Sequence, residues 1–123
     1  QGVWYDEATN ADLLFVTLDK TDGYSPTTRY DDYPLSPTEF HWESQNTTTP
    51  SSKTGRRYTS GSSSVFLFVR DRKKDDRGLT TPYVFLGHAR EQGAKGERPM
   101  RIVWRLERAM PGEWFERVKL AAG

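Results

Sequence analysis

Two stretches of this chain concentrate side chains suited to recognition chemistry: Tyr24-Ser25-Pro26-Thr27-Thr28-Arg29-Tyr30-Asp31-Asp32-Tyr33 and Phe40-His41-Trp42-Glu43-Ser44-Gln45-Asn46. In both, aromatic rings alternate with hydrogen-bonding groups. A protein that inspects an extruded nucleobase needs flat apolar faces to stack on it and polar groups to read its edge. A carboxylate can accept a hydrogen bond from the exocyclic amine of cytosine, and a small apolar niche can admit a 5-methyl group. The same residues equally suit a structural corner in which Tyr and Trp plug the end of a barrel and Asp caps turns. Residue types alone leave both readings open. Lys53, Arg56 and Arg57 follow this segment, and Arg72, Lys73, Lys74 and Arg77 form a second basic group. Either set could hold phosphates or simply solvate a surface.

Signatures of catalysis are missing. The two histidines, His41 and His88, stand in no His-Glu-x-x-His pattern, and the chain has neither a Gly-x-x-x-x-Gly-Lys-[Ser/Thr] phosphate loop nor a Gly-x-Ser-x-Gly elbow. Asp31-Asp32 could belong to a metal-binding nuclease cluster, but the further acid and the lysine such a site needs are not at suitable spacing. We therefore expect a binding module with no cofactor, metal or small-molecule substrate. The absence of cysteine excludes disulfides and Cys-based zinc sites. Apolar runs are strand-sized and no signal-peptide pattern opens the chain, so the expected address is the cytoplasm, away from membranes.

These residues must be positioned by a fold that 123 residues can build, which is one domain covering positions 1–123. Hydrophobic residues make up 34% and aromatic residues 13%, so the core must lean on rings. Leu13 to Leu18, Val65 to Val69, Tyr83 to Leu86 and Met100 to Leu106 read as strands, the last with Ile102, Trp104 and Leu106 alternating with Arg101, Val103 and Arg105. Arg72 to Gly78 reads as a hairpin tip. Ser36-Pro37-Thr38-Glu39 has capping-box order and predicts a short helix or turn running into Phe40. Pro111 to Leu120 predicts a closing amphipathic helix with Trp114, Val118 and Leu120 near one stripe. Asn46 to Ser64 has the composition of a flexible linker. The expected class is mainly β with short helices (α+β), in a barrel or strongly bent sheet that limits exposed edges.

Charge is unevenly spread beneath a net +1: residues 1–52 carry nine acids against Lys20 and Arg29, whereas residues 53–123 carry sixteen Lys or Arg against eight acids. The second part could face phosphates, or its long charged chains could merely solvate a sheet.

Several motifs occur in one order: Phe40 to Asn46, Ser52-Lys53-Thr54-Gly55-Arg56-Arg57-Tyr58, Leu67-Phe68-Val69-Arg70, Thr81-Pro82-Tyr83-Val84-Phe85-Leu86-Gly87 and Arg98-Pro99-Met100. This resembles the C-terminal domain of unknown function found on bacterial superfamily-2 helicases, often beside a phospholipase-D-type nuclease. The resemblance runs from about Ala11 to Ala121 and implies a modification-dependent (type IV) restriction system whose terminal domain recognises 5-methylcytosine or 5-hydroxymethylcytosine. Tyr30-Asp31-Asp32, Phe40, Trp42, Val103-Trp104-Arg105-Leu106 and Pro111-Gly112-Glu113-Trp114 are more distantly similar to SRA (SET- and RING-associated) domains. That similarity implies an SRA/PUA-like curved β-barrel with a C-terminal helix, in which two rings hold a flipped base.

Carried over, the resemblance makes Tyr30 and Trp42 the stacking rings and Asp31 or Asp32 the edge reader, with Tyr33 and His41 in the same base pocket. Trp42 stands where SRA domains usually have Tyr, and Tyr33 follows the acids directly. Ser44, Gln45 and Asn46 would line the pocket or fill the gap in the duplex, and Arg29, Lys53, Arg56, Arg57, Lys73 and Lys74 would hold phosphates. The implied partners are duplex DNA with modified cytosine and the helicase and nuclease domains of a parent chain. The alternatives are a reader of a backbone modification such as phosphorothioate and a docking module of the helicase that binds no DNA.

Overall fold

Alternating burial along each strand builds one sheet with one packed face. A computed structural model describes residues 2–19 and 31–123. The elements are β1 (Val3–Asp6), β2 (Ala11–Asp19), β3 (Tyr33–Ser36), β4 (Glu39–Glu43), α1 (Lys53–Ser60), β5 (Ser64–Arg72), β6 (Val84–Lys95), β7 (Arg101–Leu106) and α2 (Gly112–Ala122). The strands lie in the order β1-β2-β5-β6-β7-β4-β3, with β2 and β5 parallel and the other neighbours antiparallel. The class is α+β as the sequence predicts, but the sheet stays open, with β1 and β3 at its edges.

Leu14, Val16 and Leu18 of β2, Val65, Leu67 and Val69 of β5, Ile102, Trp104 and Leu106 of β7, and Phe40 and Trp42 of β4 point to the packed side. Helix α2 closes over that side through Val118, with Trp114 and Phe115 beside it. Leu120 is 81% exposed and stands off this stripe, because a residue two positions beyond Val118 is turned well away from it on a helix.

Ser36 to Glu39 starts no helix. It forms the β3–β4 turn, where the Ser36 hydroxyl accepts from the Thr38 N–H (3.2 Å) and donates to Glu39 (3.0 Å). Capping-box chemistry is thus satisfied within a turn. The carbonyls a helix would have used accept instead from Met110 (to Pro37, 2.8 Å) and Leu106 (to Thr38, 2.8 Å).

The linker-like composition of Asn46 to Ser64 conceals helix α1. Ser52 caps it by accepting from the Gly55 N–H (3.1 Å), and Gly61 at φ 71° ends it. The helix docks closely: a Cβ on Gly55 would lie 1.9 Å from the Thr49 carbonyl oxygen. Tyr58, one turn on, enters the core.

Candidate nucleic-acid interface

Three surfaces carry recognition chemistry. The first is the β3–β4 edge. Tyr33 and His41 face each other across the ladder with rings stacked at 4.5 Å and 12°. His41 Nδ1 lies 2.8 Å from the Asp31 carbonyl oxygen, the Asp31 N–H donates to the Glu43 carboxylate, and the Glu43 N–H donates to Asp32 Oδ1 at 2.9 Å. The fold therefore brings together four expected pocket residues, Asp31, Asp32, Tyr33 and His41, and adds Glu43. Tyr30 and Arg29 lie outside the described residues.

Trp42 does not join them. On a strand its neighbours His41 and Glu43 point one way and it points the other, into the core at 3% exposure. Tyr58 meets it edge-on at 5.3 Å and Trp104 is tilted at 5.9 Å. The expected stacking role of Trp42 is corrected to a core role. Ser44 is likewise structural: fully buried, it donates its backbone N–H to Met100 O (2.9 Å), and its hydroxyl accepts from the Met100 N–H (2.8 Å). Those bonds tie the end of β4 to the start of β7 and remove Ser44 from any pocket or duplex gap. Gln45 is half-buried and Asn46 exposed just beyond it.

The basic residues divide in the same way. Lys53 and Arg56 are exposed on α1, and Lys73 and Lys74 are exposed at the β5–β6 tip. Arg57 instead reaches Asp12 with two 3.0 Å bonds, lies 3.8 Å over the Tyr5 ring, and is not a free phosphate ligand. The bidentate bond to Asp12 raises the Arg57 pKa further above its ordinary value. Ser63 completes the arrangement by donating to Asp12 at 2.6 Å, since a buried carboxylate must find donors.

The second surface is a cavity of about 410 Å³ at a fork in the sheet. Strand β5 pairs with β6 only as far as Val65 opposite Ala89, while β6 continues along β7 to Lys95. Among the described residues, β6 beyond Ala89 therefore has no strand on its β5 side, and the cavity opens there. Tyr58, Ser63, His88, Arg90, Glu91 and Trp104 are among its lining residues. Tyr58 and Trp104 meet at 5.9 Å and 89°. Burial, with the Asp12 charge nearby, pushes the Tyr58 phenol well above its ordinary range, so it stays a neutral hydroxyl. Trp104 is fully buried and its indole Nε1–H has no hydrogen-bond partner among the described residues. An orphan donor of this kind costs about 1–3 kcal/mol.

Sequence reasoning missed this site. Its residues come from α1 and the turn after it, β5, β6 and β7, and strand alternation placed Trp104 in the core without showing that the neighbouring strands part. The third surface is the side of β2, β5 and β6 turned away from the core, where Phe15, Phe66, Phe68, Tyr83 and Phe85 gather. Among the described residues no group of three or more His, Asp or Glu side chains is placed to hold a metal ion.

A family model described as Domain of unknown function (DUF3427) matches residues 1–118. The chain belongs to that family. No curated protein matches the sequence. The DUF3427 description assigns no activity, so the function of the domain must be argued from its surfaces.

Proposed function

We propose that this DUF3427 domain binds duplex DNA containing a modified cytosine, 5-methylcytosine or 5-hydroxymethylcytosine, and takes the extruded base into the cavity at the β5–β6 fork. The observation that carries the reading is the cavity itself: among the described residues β6 runs on past Ala89 with no strand on its β5 side, and Glu91, which pairs with Trp104 in the ladder, lines the opening over the buried Tyr58 and Trp104. Glu91 can accept from the cytosine amine. Exposed Lys53 and Arg56 on α1 supply phosphate contacts. The similarity of the chain's motifs to SRA domains and to the terminal domains of bacterial helicases supports recognition of modified cytosine, and with it a parent chain bearing motor and nuclease domains, but not the fork as the place of the base.

Extrusion costs a few kcal/mol, and because Tyr58 and Trp104 are buried edge to face against each other, edge bonds and burial of the base must return it. A methyl group adds only about 0.8 kcal/mol of burial, roughly a fourfold preference. Stronger discrimination needs a niche that penalises the unmodified base.

A second placement of the base is favoured by the convergence of Asp31, Asp32, Tyr33 and His41 at the β3–β4 edge. One panel decides between the two: duplexes differing at a single cytosine, with an adjacent fluorescent base reporting extrusion. Glu91→Ala should abolish both the preference and the extrusion signal while His41→Ala leaves them intact. The reverse pattern moves the base to the edge site. Equal binding of modified and plain duplexes by the unaltered protein sinks the proposal.

A further inference from the structure

We propose that the outward face of β2, β5 and β6 is a stacking platform for single-stranded nucleic acid. The inference does not depend on base extrusion at the fork: its rings are other residues, and the two surfaces meet only at His88 and Arg90. Strand alternation puts Phe66, Phe68, Arg70 and Arg72 in one outward row on β5, opposite the buried Val65, Leu67 and Val69. Phe15 of β2 and Phe85 of β6 flank that row: Phe15 stacks on Phe68 at 4.9 Å and 20°, and Phe85 lies 5.0 Å from Phe68 and 6.0 Å from Phe66. Tyr83 meets Phe15 at 5.4 Å, and His88 lies 5.6 Å from Phe66. The rings form one continuous track. Phe85 is 59% exposed, and Trp4, on the same face through its pairing with Leu13, is 63% exposed.

Phe85 stands exposed among the half-covered Phe15, Phe66, Phe68 and Tyr83, and exposed rings gathered in this way suit a contact site. Charge identifies the occupant. Because β5 and β6 are antiparallel, the end of the track beyond Phe68 runs through Arg70 and Arg72 to Lys73, Lys74 and Arg77 at the tip. The opposite end runs through His88 to Arg90, paired in the ladder with Arg105. Lys73, Lys74, Arg77, Arg90 and Arg105 are exposed. Arg70 is buried, Arg72 bonds Asp76 (2.9 Å) and His88 lies 3.2 Å from Glu107. The phosphate contacts therefore fall to exposed Lys73, Lys74 and Arg77 at one end and Arg90 and Arg105 at the other, and rings between those two groups fit a chain of stackable bases on an anionic backbone. Arg70 shows how the track is held: it bonds Thr17 (2.9 Å) and the Thr81 carbonyl (3.1 Å) and lies 4.3 Å over Tyr83, fixing that ring. From Phe66 to Arg72 the row spans about 20 Å of strand, room for a few nucleotides. The bases are read as flat surfaces, so the platform accepts any sequence.

The test is fluorescence anisotropy of the whole chain with labelled oligothymidylate and oligouridylate of about 12 nucleotides, a length within the site sizes of known single-strand platforms. Saturable binding is expected, weakening steeply with salt. Phe85→Leu should lower affinity about tenfold, because it keeps apolar bulk and removes the ring, while Phe85→Trp retains binding. Preference for one oligomer over the other assigns DNA or RNA as the natural strand. Failure of both oligomers to bind at low salt overturns the proposal. So does equal affinity in Phe85→Leu, which would leave the face to an apolar protein partner, and so does loss of binding as the protein is concentrated into a self-associated form, which would make a second copy the occupant. Glu91→Ala should leave oligomer binding unchanged, which separates this result from the duplex panel.

Discussion

The segments Phe40–Tyr58 and Phe66–Phe85 contain the same materials, aromatic rings followed by cations, and the fold treats them oppositely. In the first, Phe40, Trp42 and Tyr58 are buried and Arg57 is tied to Asp12. In the second, Phe85 is largely exposed, Phe66 and Phe68 are half-covered, and Lys73 and Lys74 project from the tip. Composition cannot distinguish the two. What separates them is which face of the sheet each ring occupies, and whether a helix covers that face.

The sharpest way to break this comparison is to remove the central ring of the buried set. Trp42→Ala should destabilise the protein by about 3–5 kcal/mol, through lost burial and the cavity left between Tyr58 and Trp104. With total stabilities of about 5–15 kcal/mol for domains of this kind, that is a large share. Urea denaturation measures it. An unchanged midpoint with a lost DNA preference would restore Trp42 to a recognition role and undo the contrast.

A smaller effect tests the cations. Arg57→Ala removes the partner of the buried Asp12 carboxylate and should cost about 3 kcal/mol, as breaking a buried pair does. Arg56→Ala, one residue earlier but exposed, should leave stability within about 0.5 kcal/mol. In duplex binding the order reverses: Arg56→Ala should flatten the salt dependence by about one phosphate contact. Equal stability of the two variants would mean that Asp12 finds other donors.

Much of this architecture is legible from residue patterns. β7, the β5–β6 tip and α2 fall where alternation, charged turn residues and the amphipathic stripe place them, because each is governed by local periodicity. Helix α1 is not legible, and the β3–β4 turn only as one of two outcomes. Ser36 and Glu39 carry the same capping chemistry whether or not a helix follows, and β7 and Met110 decide the matter from far along the chain. Helix α1 has few apolar residues, Tyr58 chief among them; its docking rests on Gly55 and on the Arg57–Asp12 pair, which spans 45 positions. The β3–β4 edge is half legible: Asp31, Asp32, Tyr33 and His41 lie together, but whether His41 or its two neighbours Phe40 and Trp42 face inward depends on the register of β4 against β7.

The smallest expected effect on stability sharpens the contrast most. Phe85→Ala removes a ring of the same size as Phe40, yet the change should stay within about 0.5 kcal/mol, because more than half of the Phe85 side is already in water. Phe68→Ala should cost more, since Phe15 stacks on one side of that ring and Phe85 lies on another. Thermal melts of both variants beside Trp42→Ala rank the three. If Phe85→Ala melts as low as Trp42→Ala, then Phe85 belongs to the core and the outward face is no platform. A near-native melt leaves an exposed ring with no role in holding the fold, whose retention is then explained by what it binds.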